Sequence, residues 1–224
     1  ALLAASAPVF KSEMRRLIRY YETQLRKSEN ITLKLNNYAD KAYILSSEAD
    51  YIIFANGGKE VTLNNQLFGN LTKALACDVL SGKICPEGPV VIIGGGYAGC
   101  ETAVFLAEKK LEVSLIEQYT ILNSQASRQT ESMMRKMIAD STITIYEDGQ
   151  FVSANNDKAL LMQKDGSSKE INCGSIVLAL GSKPDNTLYS ELVGHRPCTI
   201  IGDAKHPHNV LNAVWDAYAA VSAI

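Results

Sequence analysis

No C-x-x-C pair occurs anywhere in the 224 residues. The five cysteines, Cys77, Cys85, Cys100, Cys173 and Cys198, are odd in number and widely spaced. That pattern excludes a zinc ribbon, an iron–sulfur site and a paired dithiol redox centre. It reads as free thiols in a reducing, cytoplasmic compartment. Histidine is scarce too: only His195, His206 and His208. The His-Pro-His stretch has no cysteine or acid cluster beside it, so it reads as a solvated loop and no metal site is expected. No G-x-S-x-G elbow supports a serine hydrolase. No apolar run approaches the ~18–20 residues that span a bilayer. A net charge of −2 gives no broad attraction for nucleic acid or an anionic membrane. The opening "ALLAASAPVF" lacks the basic start and long apolar run of a targeting leader. Without a starting Met, it is expected to belong to an excerpt or a processed chain.

Buried, β-branched runs alternating with helical patterns fill the chain, which argues for a parallel α/β sheet. Phe10 to Lys27 reads as an amphipathic helix with Met14, Leu17, Ile18, Tyr21 and Leu25 on one face. A strand is expected at Ile31 to Leu35, a helix at Tyr38 to Ser46 and a buried strand at Tyr51 to Phe54. Gly58 to Pro89 reads as irregular, ending in a "PEGP" linker. Thr130 to Ala139 reads as a helix with Met133, Met134 and Met137 inward. After Ile143 the period changes to two. Asp148-Gly149 and Asp165-Gly166 are hairpin signals within an antiparallel ribbon. "SIVLALG" and "CTIIGD" are further buried strands ending in glycine turns, and Val210 to Ile224 is a closing apolar helix.

"VVIIGGGYAGCETAVFLAEKKLEVSLIE", Val90 to Glu117, carries the most information. Gly94-x-Gly96-x-x-Gly99 follows a strand and opens a helix. Gly94 permits the tight turn, Gly96 lets backbone approach a pyrophosphate, and Gly99 lets helix pack on sheet. Gly95, Tyr97 and Ala98 complete the turn, whose helix N-terminus offers N–H groups and partial positive charge to phosphate. Glu117 ends the next strand, 117 − 94 = 23 positions on, where an acid accepts hydrogen bonds from a ribose 2′-hydroxyl. Its charge repels a 2′-phosphate, which favours NAD(H) over NADP(H). Cys100 sits at the helix N-terminus, a position that lowers a thiol pKa, although a buried packing role is the expectation.

Together these stretches resemble the two-dinucleotide-domain flavoproteins of the pyridine nucleotide-disulfide reductase fold. The likeness is to the C-terminal half of the old-yellow-enzyme-like reductases, the group of 2,4-dienoyl-CoA reductase and trimethylamine dehydrogenase. "DYIIFANGG" is similar to that group's first "ATG" turn, "GGGYAGCETAVFLAE" to its NAD(P) turn, "IVLALGSKPDN" to its second such turn at Gly181, and "TIIGDA" to its closing flavin turn at Gly202 and Asp203. The resemblance implies hydride transfer from NADH to FAD. It places Tyr97 over the nicotinamide pocket, Glu101 beside the nicotinamide and Asp203 against the flavin's ribityl or pyrophosphate region. From the residues alone, Tyr97 reads equally as a ring packed over the turn, Glu101 as a first-turn helix acid and Asp203 as a cap.

The departures are as informative. Only one glycine fingerprint occurs, and the family's first, flavin-binding one is not in this sequence. Asn56 stands where the turn usually has threonine, and Lys110 where relatives often end the helix with glycine. The expected architecture is α/β: a Rossmann-like three-layer NAD(P)-binding domain, residues 86–186, inserted into a partial flavin-type domain, residues 1–85 with 187–224. NAD(H) is the expected cofactor; FAD belongs to the parent enzyme and is expected to bind this chain weakly or not at all. Exposed strand edges predict self-association or pairing with the missing N-terminal region. The alternative is a non-catalytic nucleotide-binding or assembly module. A methyltransferase shares only the first glycine turn, and the "LALG" and "IIGDA" turns argue against it.

Overall fold

The computed structural model describes residues 2–123 and 127–224. In chain order the helices are α1 (Leu2–Ala5), α2 (Met14–Lys27), α3 (Lys41–Ser46), α4 (Ala76–Leu80), α5 (Tyr97–Glu108), α6 (Arg128–Ala139), α7 (Thr187–Leu192) and α8 (Val210–Ser222). The strands are β1 (Ile52–Phe54), β2 (Gly58–Glu60), β3 (Thr72–Leu75), β4 (Val90–Ile93), β5 (Val113–Ile116), β6 (Thr144–Tyr146), β7 (Gly149–Asn155), β8 (Lys158–Gln163), β9 (Ser168–Asn172), β10 (Ser175–Leu178), β11 (Ser182–Pro184) and β12 (Cys198–Ile200). The chain divides into two compact units, Ala1–Glu29 with Thr62–Gly181 and Asn30–Val61 with Ser182–Ile224. These limits differ from the expected ones at residues 85 and 186. The stretch read as irregular contains β3, which pairs in parallel with β10 and so belongs to the first unit.

The first unit is built on a parallel sheet in the order β3-β10-β4-β5-β6. Its central strands are buried on both faces, which is why they read as unbroken apolar runs. Val90 and Ile92 point into the helix layer with Val113, Leu115 and Val177. Val91 and Ile93 point the opposite way, with Ile116, Ile176 and Leu178, into a second core beneath the antiparallel ribbon β7-β8-β9. Helix α5 buries Cys100, Ala103, Val104 and Leu106 against the first face. Past its end Lys110 adopts φ 67°, the left-handed conformation that glycine holds without strain.

Several local expectations shift. Helix α6 buries Met134, while Met137 is half-buried and Met133 faces outward. Asp165-Gly166 does close the β8–β9 hairpin. Asp148-Gly149 does not close one: β6 pairs with β5 in the main sheet and β7 with β8 in the ribbon. Asp148, at φ 53°, passes the chain from one sheet to the other, and Asn156, also at φ 53°, makes the β7–β8 turn. Helix α2 has no buried residue; Leu17 and Ile18 are half-covered, and Tyr21 and Leu25 are exposed.

The second unit pairs β1 with β12 in parallel and β2 with β11 antiparallel. Its core is small: Ile44, Phe54 and Leu192. Asp40 caps α3 by accepting the Tyr43 N–H at 2.8 Å. The Arg196 guanidinium donates to the carbonyls of Leu45, Ser47 and Ala49 and holds that connection to β12. Ile31 to Leu35 forms no strand. Its alternation is real, but Ile31, Leu33 and Leu35 are exposed and no strand among the described residues pairs with them. Helix α8 buries none of its side chains, and Trp215 is 63% exposed.

Candidate functional site

The switch point of the first sheet lies between β4 and β10, because β5 and β6 extend from one side of β4 and β10 and β3 from the other. Ligands of open α/β sheets bind at the carboxyl ends of strands at such a point. The Gly94–Gly99 turn stands there. Gly94 has φ 108°, and a Cβ on it would drive into the Ala179 peptide, whose carbonyl carbon would be 2.9 Å away. A Cβ at Gly99 would collide with the Gly94 carbonyl oxygen. At Gly95 a Cβ would meet Glu117 Cβ and Ile121 Cγ2, both at 2.8 Å. Gly96 differs: no atom lies within 4 Å of its added Cβ. Three glycines are thus demanded by the protein's own packing, and the fourth opens outward. That division fits a turn that can carry a pyrophosphate on its Gly96 side.

Gly96 is the N-cap of α5, and the exposed Ala98 lies in its first turn. Glu117 is bound into the turn: its carboxylate accepts the Gly95 N–H at 2.6 Å and the Tyr119 N–H at 3.0 Å. A carboxylate has about four lone-pair sites, so these bonds leave acceptor capacity for a hydroxyl. Gly181 follows β10, at φ 79° with open space around it. Tyr97 packs its ring against the helix-layer core, and its buried hydroxyl has no hydrogen-bond partner among the described residues. Burial, then the charge of Glu131, raises its pKa.

Glu101 is 6% exposed and is the only buried charged side chain among the described residues. Its Oε1 pairs with the ammonium of Lys11. No spacing in the sequence connects a lysine at 11 with an acid at 101; the contact exists only after folding. Gly202 and Asp203 belong to the second unit. Gly202 has φ 59°, and its N–H is already given to Asp216 at 3.0 Å. Asp203 accepts the His208 N–H at 3.2 Å. Among the described residues of the second unit, the N-caps of α3, α7 and α8 are Asp40, Asn186 and Asn209.

Cys100 is buried and its thiol bonds the Gly95 carbonyl. Desolvation pushes its pKa up to about 12 against the lowering charge of Arg135; Cys173 goes up to about 11, again chiefly by desolvation. With iodoacetamide at about pH 8, the exposed Cys85 is expected to be carbamidomethylated first, with Cys100 and Cys173 untouched until the chain unfolds. Peptide mass spectrometry reads this directly. Equal rates at Cys100 and Cys85 would contradict the burial account.

A doubly packed parallel sheet with this turn at its switch point defines a dinucleotide-binding α/β protein. A match to the pyridine nucleotide-disulphide oxidoreductase family covers residues 8–197, and the chain belongs to that family, an FAD/NAD(P)-binding fold of oxidoreductases. The chain is 31% identical over 221 residues to cinnamate reductase of Clostridium sporogenes, covering 97% of this chain and 33% of that protein. It is 28% identical to NADH oxidase of Thermoanaerobacter brockii, covering 96% of this chain and 34% of that one. A 2-naphthoyl-CoA reductase structure superposes with a TM-score of 0.86 at 24% identity, over 97% of this chain and 33% of that chain. The chain therefore spans about a third of the length of these relatives. No helix among the described residues is long and apolar enough to cross a membrane.

Proposed function

We propose that this chain is the nicotinamide-dinucleotide-binding portion of an NADH-dependent flavin oxidoreductase, with NADH held by the first unit and hydride passed to FAD in the full-length parent. The observation that carries this reading is the turn itself: Gly94, Gly95 and Gly99 closed by packing, Gly96 open, and Glu117 fixed beside it as a ribose acceptor. Gly94–Gly99 would hold the pyrophosphate, Glu117 the adenosine ribose, and Glu101 the nicotinamide end, with Gly181 beside it at the carboxyl end of β10. The NADH oxidase among the relatives supports the choice of cofactor. When bound, the nicotinamide supplies hydride; the protein supplies position and a dry surface.

The two units support the expectation about FAD. In the first unit β10 has β3 on one edge and β4, with its glycine turn and helix, on the other. The corresponding β1 of the second unit has β12 on one edge and no described strand on the other. The partner that fits this edge is a strand–glycine turn–helix–strand segment, from the N-terminal region of the parent or from a second chain. Gly202 and Asp203 would then contact the flavin.

Calorimetric titration with NADH, NADPH, FAD and ADP tests the reading. NADH is expected to bind, NADPH more weakly, and FAD not to survive desalting at stoichiometric yield. Tight FAD binding would show that the flavin cradle is rebuilt by association. The second reading, a non-catalytic assembly module, rests on the open β1 edge and the uncovered α8. It takes the lead if ADP binds as well as NADH and no reduced cofactor reacts with an artificial acceptor.

A further inference from the structure

We propose that Arg135 is a positioning residue of the pyrophosphate site, acting through two peptide groups in series that end on the Gly96 N–H. This rests on the reading of the Gly94–Gly99 turn as the pyrophosphate cradle. Arg135 lies on α6, and its Nη2 donates to the Ile121 carbonyl at 2.9 Å. The other end of that peptide is the Leu122 N–H, which donates to the Gly95 carbonyl at 2.8 Å. The other end of the Gly95 peptide is the Gly96 N–H. It has no hydrogen-bond partner among the described residues. A trans peptide points its C=O and its N–H in opposite directions. Each accepted bond therefore fixes where the next N–H points, and the last N–H is left for an acceptor from outside.

The series is tied down along its length. Ile121 and Leu122 are buried, and Glu147 accepts the Ile121 N–H at 2.7 Å, so Ile121 is held through both its N–H and its carbonyl. Glu117 accepts the Gly95 N–H at 2.6 Å, and the Cys100 thiol shares the Gly95 carbonyl at 3.3 Å. Glu131 accepts from Arg135 Nε at 2.9 Å and steadies the guanidinium. A guanidinium on a carbonyl draws electron density towards the oxygen, which makes the N–H of the same peptide a stronger donor. Hydrogen-bonded peptides pass that polarisation along. Its sign suits an anion at the Gly96 end. Arg135 thus serves the phosphates without touching them.

The test reads NADH affinity by titration and the Gly96 amide proton by NMR. In Arg135→Met, NADH binding is expected to weaken about fivefold, the scale of one hydrogen bond. In the ligand-free protein the Gly96 amide proton should move upfield, as it does for a weaker donor. Arg135→Lys keeps a charged donor and should restore most of both readouts. If Arg135→Met fails to fold, Arg135→Gln set against Arg135→Lys gives the same comparison. Salt separates this relay from a plain surface charge. Charges are felt over about 10 Å at 0.1 M salt and about 3 Å at 1 M, and the affinity ratio between wild type and Arg135→Met should survive both. A ratio that vanishes at the higher salt, or an unchanged affinity with an unmoved Gly96 proton, would overturn the role of Arg135 alone. A wild-type chain that binds no NADH, while its Gly96 proton still responds to Arg135→Met, would overturn the reading of the turn and leave the relay no pyrophosphate to serve.

Discussion

Gly99→Ala is expected to destabilise the first unit by about 3 kcal/mol and to abolish measurable NADH binding. The added methyl would sit against the Gly94 carbonyl oxygen, with the Gly94 carbonyl carbon at 3.0 Å and Ala179 Cβ at 3.3 Å. Neither neighbour can yield cheaply. Gly94 is itself pressed on the Ala179 peptide, and the Gly94 N–H is bound to the Ile116 carbonyl at 2.9 Å. Alanine is the better helix former by about 1 kcal/mol. Overpacking costs roughly 1–3 kcal/mol where side chains can adjust, and here the clash is with backbone, so the clash wins. For a unit of this size the loss corresponds to a fall in Tm of roughly 6–12 °C. Gly96→Ala separates folding from binding. Gly96 has φ −68° and nothing within 4 Å of its added Cβ, so Tm should hold while NADH affinity falls at least tenfold. If Gly96→Ala binds NADH as the wild type does, the turn does not carry the pyrophosphate.

The parts legible in the sequence were those whose physics is local. The Val90 to Glu117 stretch has strand, turn, helix and strand within one window, and Gly94 and Gly99 meet the tight-turn and helix–strand packing constraints their positions imply. The buried strand at Ser175–Leu178 was legible for the same reason; Cys198–Ile200 also forms a strand, but a half-buried one where a buried one was expected. Non-local pairing was not. The Thr72–Leu75 strand is short and carries Lys73, and only the edge of β10 makes it a strand. Ile31 to Leu35 shows the reverse: good alternation without a described neighbour leaves an extended segment. Asp148-Gly149 has hairpin composition, yet its strands join different sheets, because residue type sets a left-handed φ and cannot choose a partner. The same limit hid Lys11, whose meaning comes from Glu101, 101 − 11 = 90 positions away.

The second large effect is expected at Glu117, the residue proposed to discriminate between the two cofactors. Its carboxylate is pinned by the Gly95 and Tyr119 amides, so it cannot swing away from a 2′-phosphate. Two unit charges about 4 Å apart near a protein surface repel by about 4 kcal/mol before salt screening. The same carboxylate gives a ribose hydroxyl a charge-assisted bond of about 1.5–3 kcal/mol. Glu117→Arg reverses the first term, which salt and solvent screening reduce, and removes the second, so the ratio of NADH to NADPH affinity should swing by at least about a thousandfold towards NADPH. It also strands the Gly95 and Tyr119 amides, and Tm should fall by a few degrees for an orphaned donor costing about 1–3 kcal/mol. Glu117→Gln keeps one acceptor and loses the charge. It should bind NADH about tenfold less well and NADPH better than the wild type does, and Tm should fall by less than in Glu117→Arg, because one of the two amides, not both, loses its acceptor. Paired fluorescence titrations with NADH and NADPH decide the matter. If Glu117→Gln leaves the affinity ratio where it was, the adenosine ribose lies elsewhere and Glu117 serves only to lock the turn.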